Sequence, residues 1–207
     1  MTLHRIVALC CAGLVLMGVA SDAHADTGAS DESIYQLRMT LTDQDNRRHG
    51  LDVYKGHPVV IALFYATCNH TCPLLIAALK SLDAKLNANT RKDIRYLLVS
   101  LDPGQDTPKA LKALAARHSL DLNRWKLTNT SEDKVRELAN VLGITYRKNA
   151  AGGFNHSSVV TLLDQHGQIV RREEGINQAT QAIGEHLNKK KEGKHEPKKS
   201  PRSAPAK

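Results

Sequence analysis

The residues of this sequence that could carry chemistry are two cysteines, Cys68 and Cys72, four positions apart. They follow a continuous apolar stretch, residues 59–65, and come just before Pro73, where a helical pattern of apolar residues begins. A helix N-terminus offers unbonded backbone N–H groups and the positive end of the helix dipole, and both favour thiolate over thiol. Two thiolates at this junction could exchange disulfides or bind a soft metal such as Cu(I) or Zn(II).

Two other interpretations of the cysteine pair are weaker. A purely structural disulfide would close so short a loop that it removes little entropy from the unfolded chain. A structural zinc site usually takes four protein ligands. The two further cysteines, Cys10 and Cys11, lie in an apolar N-terminal segment and do not form a second pair within the folded body.

His156 is the candidate for a third metal ligand. It follows Gly152 and Gly153, which allow a loop to approach another backbone closely, and precedes a strand predicted from Ser158. Functional groups in α/β sheets gather at strand ends and on adjoining loops. Two thiolates and one neutral imidazole would suit a transferable copper ion, as Cu(I) or Cu(II).

The elements that must position these residues form a mixed pattern. Continuous apolar runs predict strands buried on both faces, and helical spacing of apolar residues predicts helices between them. The predicted strands are 34–42, 59–65, 94–101, 125–128, 158–164 and 168–173, and the predicted helices are 73–86, 107–117, 131–142 and 177–187. A parallel βαβ unit followed by an antiparallel pair predicts an α/β, thioredoxin-like fold, with a mixed central β-sheet and helices on both faces.

Three motifs in this order resemble the Sco/SenC family of copper-binding thioredoxin-fold proteins. They are Phe-Tyr-Ala-Thr-Cys-Asn-His-Thr-Cys-Pro at 64–73, Ser-Leu-Asp-Pro-Gly-Gln-Asp-Thr-Pro at 100–108 and Phe-Asn-His-Ser-Ser at 154–158. The resemblance covers residues 34–187, and Asn155 stands where the family usually has Asp. It implies a metallochaperone that delivers copper to the CuA centre of cytochrome c oxidase during assembly of the oxidase.

The resemblance also assigns roles to individual residues. Cys68, Cys72 and His156 become the copper ligands, and Asp102 and Asp106 become groups that support the ligands or contact the partner. Asn155 belongs to the same supporting set, and its amide would orient the imidazole more weakly than a carboxylate. His70, between the cysteines, is not part of the family pattern, and its role as a fourth ligand stays open.

A thiol–disulfide reductase that keeps a partner's copper-binding cysteines reduced is the alternative function. Cys68 would attack and Cys72 would resolve. The C-x3-C spacing argues against a general oxidoreductase, as does the absence of any proline between Pro108 and Pro197. We therefore favour a non-enzymatic function. The expected partner is the CuA-bearing oxidase subunit or another copper protein, and the expected oligomeric state is a monomer.

The N-terminal segment predicts export. Residues 1–25 resemble a cleavable signal peptide, with Arg5 near the start, an apolar stretch over 6–20 and Ala23-His24-Ala25 as the cleavage site. A polar leader, residues 26–33, would follow. Export by this signal predicts that the mature protein is periplasmic. If the signal is not cleaved, the same stretch would tether the protein to the membrane.

The charge of the chain is concentrated at its C-terminus. Of the formal net charge of +8, residues 188–207 hold +6, and residues 26–187 hold only +2. This basic tail predicts disorder, and its role as solvating segment or as contact to an anionic membrane or acidic partner stays open. Nucleic acid is not an expected partner of an exported protein. The 41% apolar composition excludes a wholly disordered chain.

Overall fold

A seven-stranded mixed sheet forms the centre of the protein in a computed structural model, which describes residues 33–68, 71–150 and 152–192. The strands are β1 (Leu41–Asp43), β2 (Arg48–His49), β3 (Val59–Phe64), β4 (Arg95–Ser100), β5 (Trp125–Asn129), β6 (Tyr146–Lys148), β7 (Phe154–His156), β8 (Val159–Leu163) and β9 (Ile169–Glu174). The order in the sheet is β2-β1-β5-β4-β3-β8-β9, and β6 and β7 form a separate two-stranded ribbon.

The middle of the sheet is parallel and its flanks are antiparallel. Strand β4 pairs in parallel with β3 and β5, whereas β8 runs antiparallel to β3 and β1 runs antiparallel to β5. All six residues of β3 are buried, as expected for a strand covered on both faces. The cysteine pair follows the carboxyl end of β3, so a fully buried strand fixes its position.

Helices cover both faces of the sheet, which confirms the predicted architecture. They are α1 (Thr71–Lys85), α2 (Ala88–Asp93), α3 (Pro108–Arg117), α4 (Glu132–Val141) and α5 (Ile176–Glu192). Apolar residues of α1, α3 and α5 pack in one core cluster, and those of α4 pack in a second cluster on the opposite face. Thr107 caps α3 as predicted, because its hydroxyl accepts from the Ala110 N–H at 3.3 Å.

The structure shows four main departures from the predicted elements. The predicted strand 34–42 begins instead as a 3-10 turn over Ile34–Gln36, and its strand portion starts at Leu41. Helix α2 was not predicted, since it has only six residues and begins on an Asn87 cap rather than an apolar repeat. The β6–β7 ribbon was likewise not predicted.

The fourth departure concerns the C-terminal helix. Helix α5 continues to Glu192, beyond the predicted end at Leu187. The rest of the basic tail, the signal segment 1–25 and the polar leader up to residue 32 lie outside the described residues. None of the described helices has the length and apolar character needed to cross a bilayer.

Candidate metal centre

The two cysteines lie together at the junction of β3 and α1. Cys68 precedes the helix, and its sulfur accepts a hydrogen bond from the Cys72 backbone N–H at 3.3 Å. Cys68 therefore serves as a cap for the first turn of α1 and is not itself a helical residue. No disulfide joins the two cysteines. The local sequence thus places two thiols side by side, as a site for a soft metal or a redox pair requires.

The two thiols differ in their surroundings. Cys72 is only 3% exposed, whereas Cys68 is half-buried. Burial raises the pKa of the Cys72 thiol to about 12, and this effect outweighs the opposing hydrogen bond from the Tyr65 backbone N–H. The expectation that the helix terminus would make both sulfurs anionic is therefore wrong for Cys72. Its thiolate requires a compensating charge, such as a bound cation.

Cys68 is expected to react with iodoacetamide at least about tenfold faster than Cys72, because the thiolate is the nucleophile and access governs its rate. The measurement is a time course of alkylation of the reduced, metal-free protein, with each cysteine quantified by peptide mass spectrometry. In urea the two rates should converge, which serves as the control. Equal rates in the folded protein would contradict the assigned burial.

His156 lies in the β6–β7 ribbon and not in the loop that was predicted there. It pairs with Tyr146 across the ribbon, at the end of β7. Its Nδ1 lies 3.0 Å from the Ser157 carbonyl oxygen. If Nδ1 carries the proton and donates it to this carbonyl, the Nε2 lone pair is available to a metal. A turn rich in Asn and Gly between two short aromatic-containing segments was the signal for this ribbon.

Tyr65 is the site residue that the sequence analysis missed. Its hydroxyl forms a hydrogen bond with the Cys68 sulfur and accepts another from the Phe154 backbone N–H. Its ring packs edge-on against Phe154, with centroids 5.4 Å apart, and against His156 at 6.3 Å. Burial raises the pKa of Tyr65, so the hydroxyl keeps its proton and can donate. Tyr65 therefore bridges the cysteine pair and the ribbon that carries His156.

The described structure does not hold a finished metal cage. Within residues 33–68, 71–150 and 152–192, no three His, Cys, Asp or Glu side chains are grouped closely enough to hold a metal ion. The cysteines are adjacent, and the ring of His156 packs against that of Tyr65, three residues before Cys68. Ligation by all three residues would require the ribbon and the cysteine loop to approach one another. His70, the candidate fourth ligand, lies outside the described residues.

Asp106 supports the cysteine loop from beneath. It is 1% exposed, and its carboxylate accepts from the Ala66 N–H at 2.9 Å and from the Ser100 hydroxyl at 2.5 Å. Burial, the largest effect, raises the pKa of this carboxyl despite the two hydrogen bonds. Because Ala66 is two residues before Cys68, Asp106 fixes the backbone on which Cys68 is carried. The structure thus places Asp106 behind the cysteines, as a supporting group.

Asp102 lies beside the β6–β7 ribbon, and Asn155 is part of it. The Asp102 backbone N–H donates to the Ser100 hydroxyl at 2.9 Å, and its side chain lines a groove beside Tyr146 of the ribbon. The Asn155 amide oxygen accepts from Asn149 at 3.3 Å. Since successive strand residues point to opposite faces, Asn155 faces away from the side of the ribbon that carries His156. The Ser157 carbonyl, rather than Asn155, is positioned to orient the imidazole.

The fold and the paired thiols define a thioredoxin-like dithiol protein. The chain matches the SCO1/SenC family over residues 27–190 and belongs to that family, which confirms the resemblance found in its motifs. It is 28% identical over 141 residues to the SCO1 protein homolog of Bacillus subtilis (strain 168), a match that covers 67% of this chain and 72% of the relative.

Solved structures share the fold. Arabidopsis thaliana ScoI with copper bound aligns with a TM-score of 0.63 at 17% identity, covering 72% of this chain and 96% of that one. BsSco, described with a disulfide switch and as a member of the Sco family of cytochrome c oxidase assembly proteins, aligns with a TM-score of 0.64 at 24% identity. That alignment covers 76% of this chain and 94% of BsSco.

Proposed function

We propose that this protein is a copper chaperone that binds one copper ion through Cys68, Cys72 and His156. The observation that carries the proposal is the pair of adjacent thiols, with the Cys72 N–H 3.3 Å from the Cys68 sulfur, close to Tyr65, whose ring packs against His156 of the ribbon. Thiolates favour copper over hard ions such as Mg²⁺ and Ca²⁺. Membership of the SCO1/SenC family and the copper-bound ScoI neighbour support copper as the metal.

Delivery, rather than storage, follows from the number and placement of the ligands. Three protein ligands leave room for a ligand from a partner to enter before the metal leaves, and Cys68 is half-buried at the surface rather than enclosed. The recipient that we propose is the CuA-bearing subunit of cytochrome c oxidase. Its support is the family resemblance and the description of BsSco as an oxidase assembly protein.

Thiol–disulfide reduction is the second candidate function. The half-buried Cys68 and the buried Cys72 are arranged as an attacking and a resolving thiol. The Cys68 thiolate would attack a partner disulfide and form a mixed disulfide, releasing one partner thiolate. Attack by Cys72 on Cys68 would then release the second, leaving the partner as a dithiol and this protein with a Cys68–Cys72 disulfide.

We propose the periplasm as the site of action, reached by the signal in residues 1–25. An uncleaved signal would leave the same domain tethered to the membrane. The basic tail would then lie near anionic lipid or an acidic partner. We also propose that the protein works as a monomer.

Anaerobic copper titration separates the two candidate functions. The reduced protein is expected to bind one copper ion per chain, and His156→Ala is expected to weaken binding at least about 100-fold, because loss of a ligand should exceed the cost of losing an outer partner. His166→Ala is the matched control, since His166 is an exposed residue of the β8–β9 turn. Binding that is equally strong in both variants would contradict the three-ligand site and favour the reductase.

A further inference from the structure

The register of the β6–β7 ribbon leaves the Phe154 backbone N–H without a partner in β6. Ser157 N–H donates to the Thr145 carbonyl at 3.0 Å, and Asn149 N–H donates to the Gly153 carbonyl at 2.8 Å. Hydrogen-bonded and non-bonded pairs alternate along an antiparallel ladder. Phe154, one position from the Asn149–Gly153 pair, is therefore in a non-bonded pair. Its N–H points away from β6 and needs a partner elsewhere.

Tyr65 supplies that partner. Its hydroxyl oxygen accepts from the Phe154 N–H, and the hydroxyl donates to the Cys68 sulfur. Gly153 leaves the space that this hydroxyl uses, since a Cβ on Gly153 would lie only 3.1 Å from the Tyr65 oxygen. The three groups form a hydrogen-bonded chain from ribbon backbone through phenol to thiol. Bonds in such a chain strengthen one another.

We propose that Tyr65 is a positioning residue that couples the ribbon carrying His156 to the state of Cys68, and that its hydroxyl tunes the preference of the site between Cu(I) and Cu(II). The tuning of the copper preference rests on the proposed copper function, whereas the coupling of the ribbon to Cys68 does not. The tyrosine acts through its hydrogen bonds, and copper ligation is left to Cys68, Cys72 and His156.

The direction of the tuning follows from the chemistry of sulfur. A hydrogen bond to a thiolate withdraws electron density from it, so the sulfur donates less strongly to a bound metal. Cu(II) depends on that donation more than Cu(I), and hydrogen bonding around a copper-bound sulfur tunes the redox behaviour of copper sites. Removing the Tyr65 hydroxyl should therefore favour Cu(II) relative to Cu(I).

The first test uses the metal-free, reduced protein and amide hydrogen exchange followed by NMR. In Tyr65→Phe the ring packing remains and the Phe154 N–H loses its acceptor, so its exchange should accelerate about tenfold or more. Tyr146→Phe is the matched control, because Tyr146 also packs on Phe154, at 6.1 Å between centroids. Unchanged exchange at Phe154 in Tyr65→Phe would overturn the coupling.

A double-mutant cycle tests whether Cys68 belongs to the same chain. Cys68→Ala removes the sulfur to which the Tyr65 hydroxyl donates. If the chain is cooperative, the effects of Tyr65→Phe and Cys68→Ala on Phe154 exchange will not add. Additive effects would place the ribbon outside the influence of Cys68 and overturn the proposal that the two are coupled.

The second test compares affinities for Cu(I) and Cu(II), each measured by competition with a chelator. Tyr65→Phe is expected to shift the ratio of the two dissociation constants about tenfold toward Cu(II), the effect of one hydrogen bond to a charged group. The sulfur-to-Cu(II) charge-transfer band should move to longer wavelength. An unchanged ratio and band would overturn the tuning.

Gly153→Ala keeps the hydroxyl and displaces it, so it should shift the Phe154 exchange rate and the Cu(II) band in the same directions as Tyr65→Phe. Absence of any effect on exchange would count against the close approach of Tyr65 to the ribbon. If the wild-type protein binds no copper, the proposed function fails, and the exchange experiments alone decide the role of Tyr65.

Discussion

Replacing Cys72 with serine is expected to weaken copper binding at least about 1000-fold, the largest functional effect of any single substitution in this site. Serine keeps nearly the same shape and can still accept from the Tyr65 N–H. Its hydroxyl is hard and stays protonated, so it does not replace a thiolate as a ligand for a soft metal. Loss of a ligand should exceed the roughly 10–100-fold cost of losing an outer partner.

The measurement is chelator competition under anaerobic conditions, with thermal unfolding recorded in parallel. Because Cys72 is 3% exposed, its serine variant also buries a hydroxyl, and unfolding shows whether the fold survives this. Cys68→Ser is the matched comparison at a half-buried position. A folded Cys72→Ser protein that binds copper with wild-type affinity would remove Cys72 from the ligand set.

The buried centre of the fold could be predicted because its pattern is local and unambiguous. Strands β3 and β4 are continuous apolar runs, and helix α3 has both a threonine cap and a proline in its first turn. Each of these signals is a few residues long and agrees with the tertiary environment. The short elements α2 and the β6–β7 ribbon carry no such run. Helix α2 is marked only by its Asn87 cap, and the ribbon only by a turn rich in Asn and Gly.

The sequence predicted which residues could bind a metal, but it did not predict their burial or their contacts. Spacing brings Cys68 and Cys72 together, but the extent of burial that raises the pKa of Cys72 depends on surrounding residues. A helix terminus stabilises the thiolate, but the loss of solvent around Cys72 has the larger effect on its pKa. Tyr65 was missed because an aromatic residue at the end of a buried strand is usually part of the core. Its hydroxyl gains a role only when the fold brings Phe154, 89 positions away in the chain, next to the Cys68 loop.

Asp106→Ala is expected to reduce the free energy of unfolding by about 3 kcal/mol, since it leaves the Ala66 N–H and the Ser100 hydroxyl without their buried acceptor. Asp106→Asn retains an oxygen that can accept both bonds, so it should cost about 1 kcal/mol or less at neutral pH. Asp133→Ala, at a position whose side chain is 84% exposed, is the control and should change stability by about 0.5 kcal/mol or less.

Denaturation in urea measures all three variants, and iodoacetamide labelling then connects stability to the site. Because Asp106 holds the backbone two residues before Cys68, its loss should loosen the cysteine loop. The buried Cys72 of Asp106→Ala should become alkylated faster than in the wild-type protein, whereas Asp106→Asn should behave as wild type. Wild-type stability and labelling in Asp106→Ala would remove Asp106 as a support of the loop.

The raised pKa of Asp106 also predicts how stability depends on pH. Between the ordinary value of 3.8 and the raised value in the folded protein, the folded state binds more protons at this group than the unfolded state. The contribution of Asp106 to the free energy of unfolding therefore falls as pH rises through that window. Asp102 and Cys72 are its titratable neighbours, and Asp102 adds to the upward shift of the pKa. Asp106→Asn cannot bind this proton, so its free energy of unfolding relative to wild type should increase from pH 4 to pH 7. Urea titrations across this range measure the difference. A difference that stays constant with pH would contradict the raised pKa.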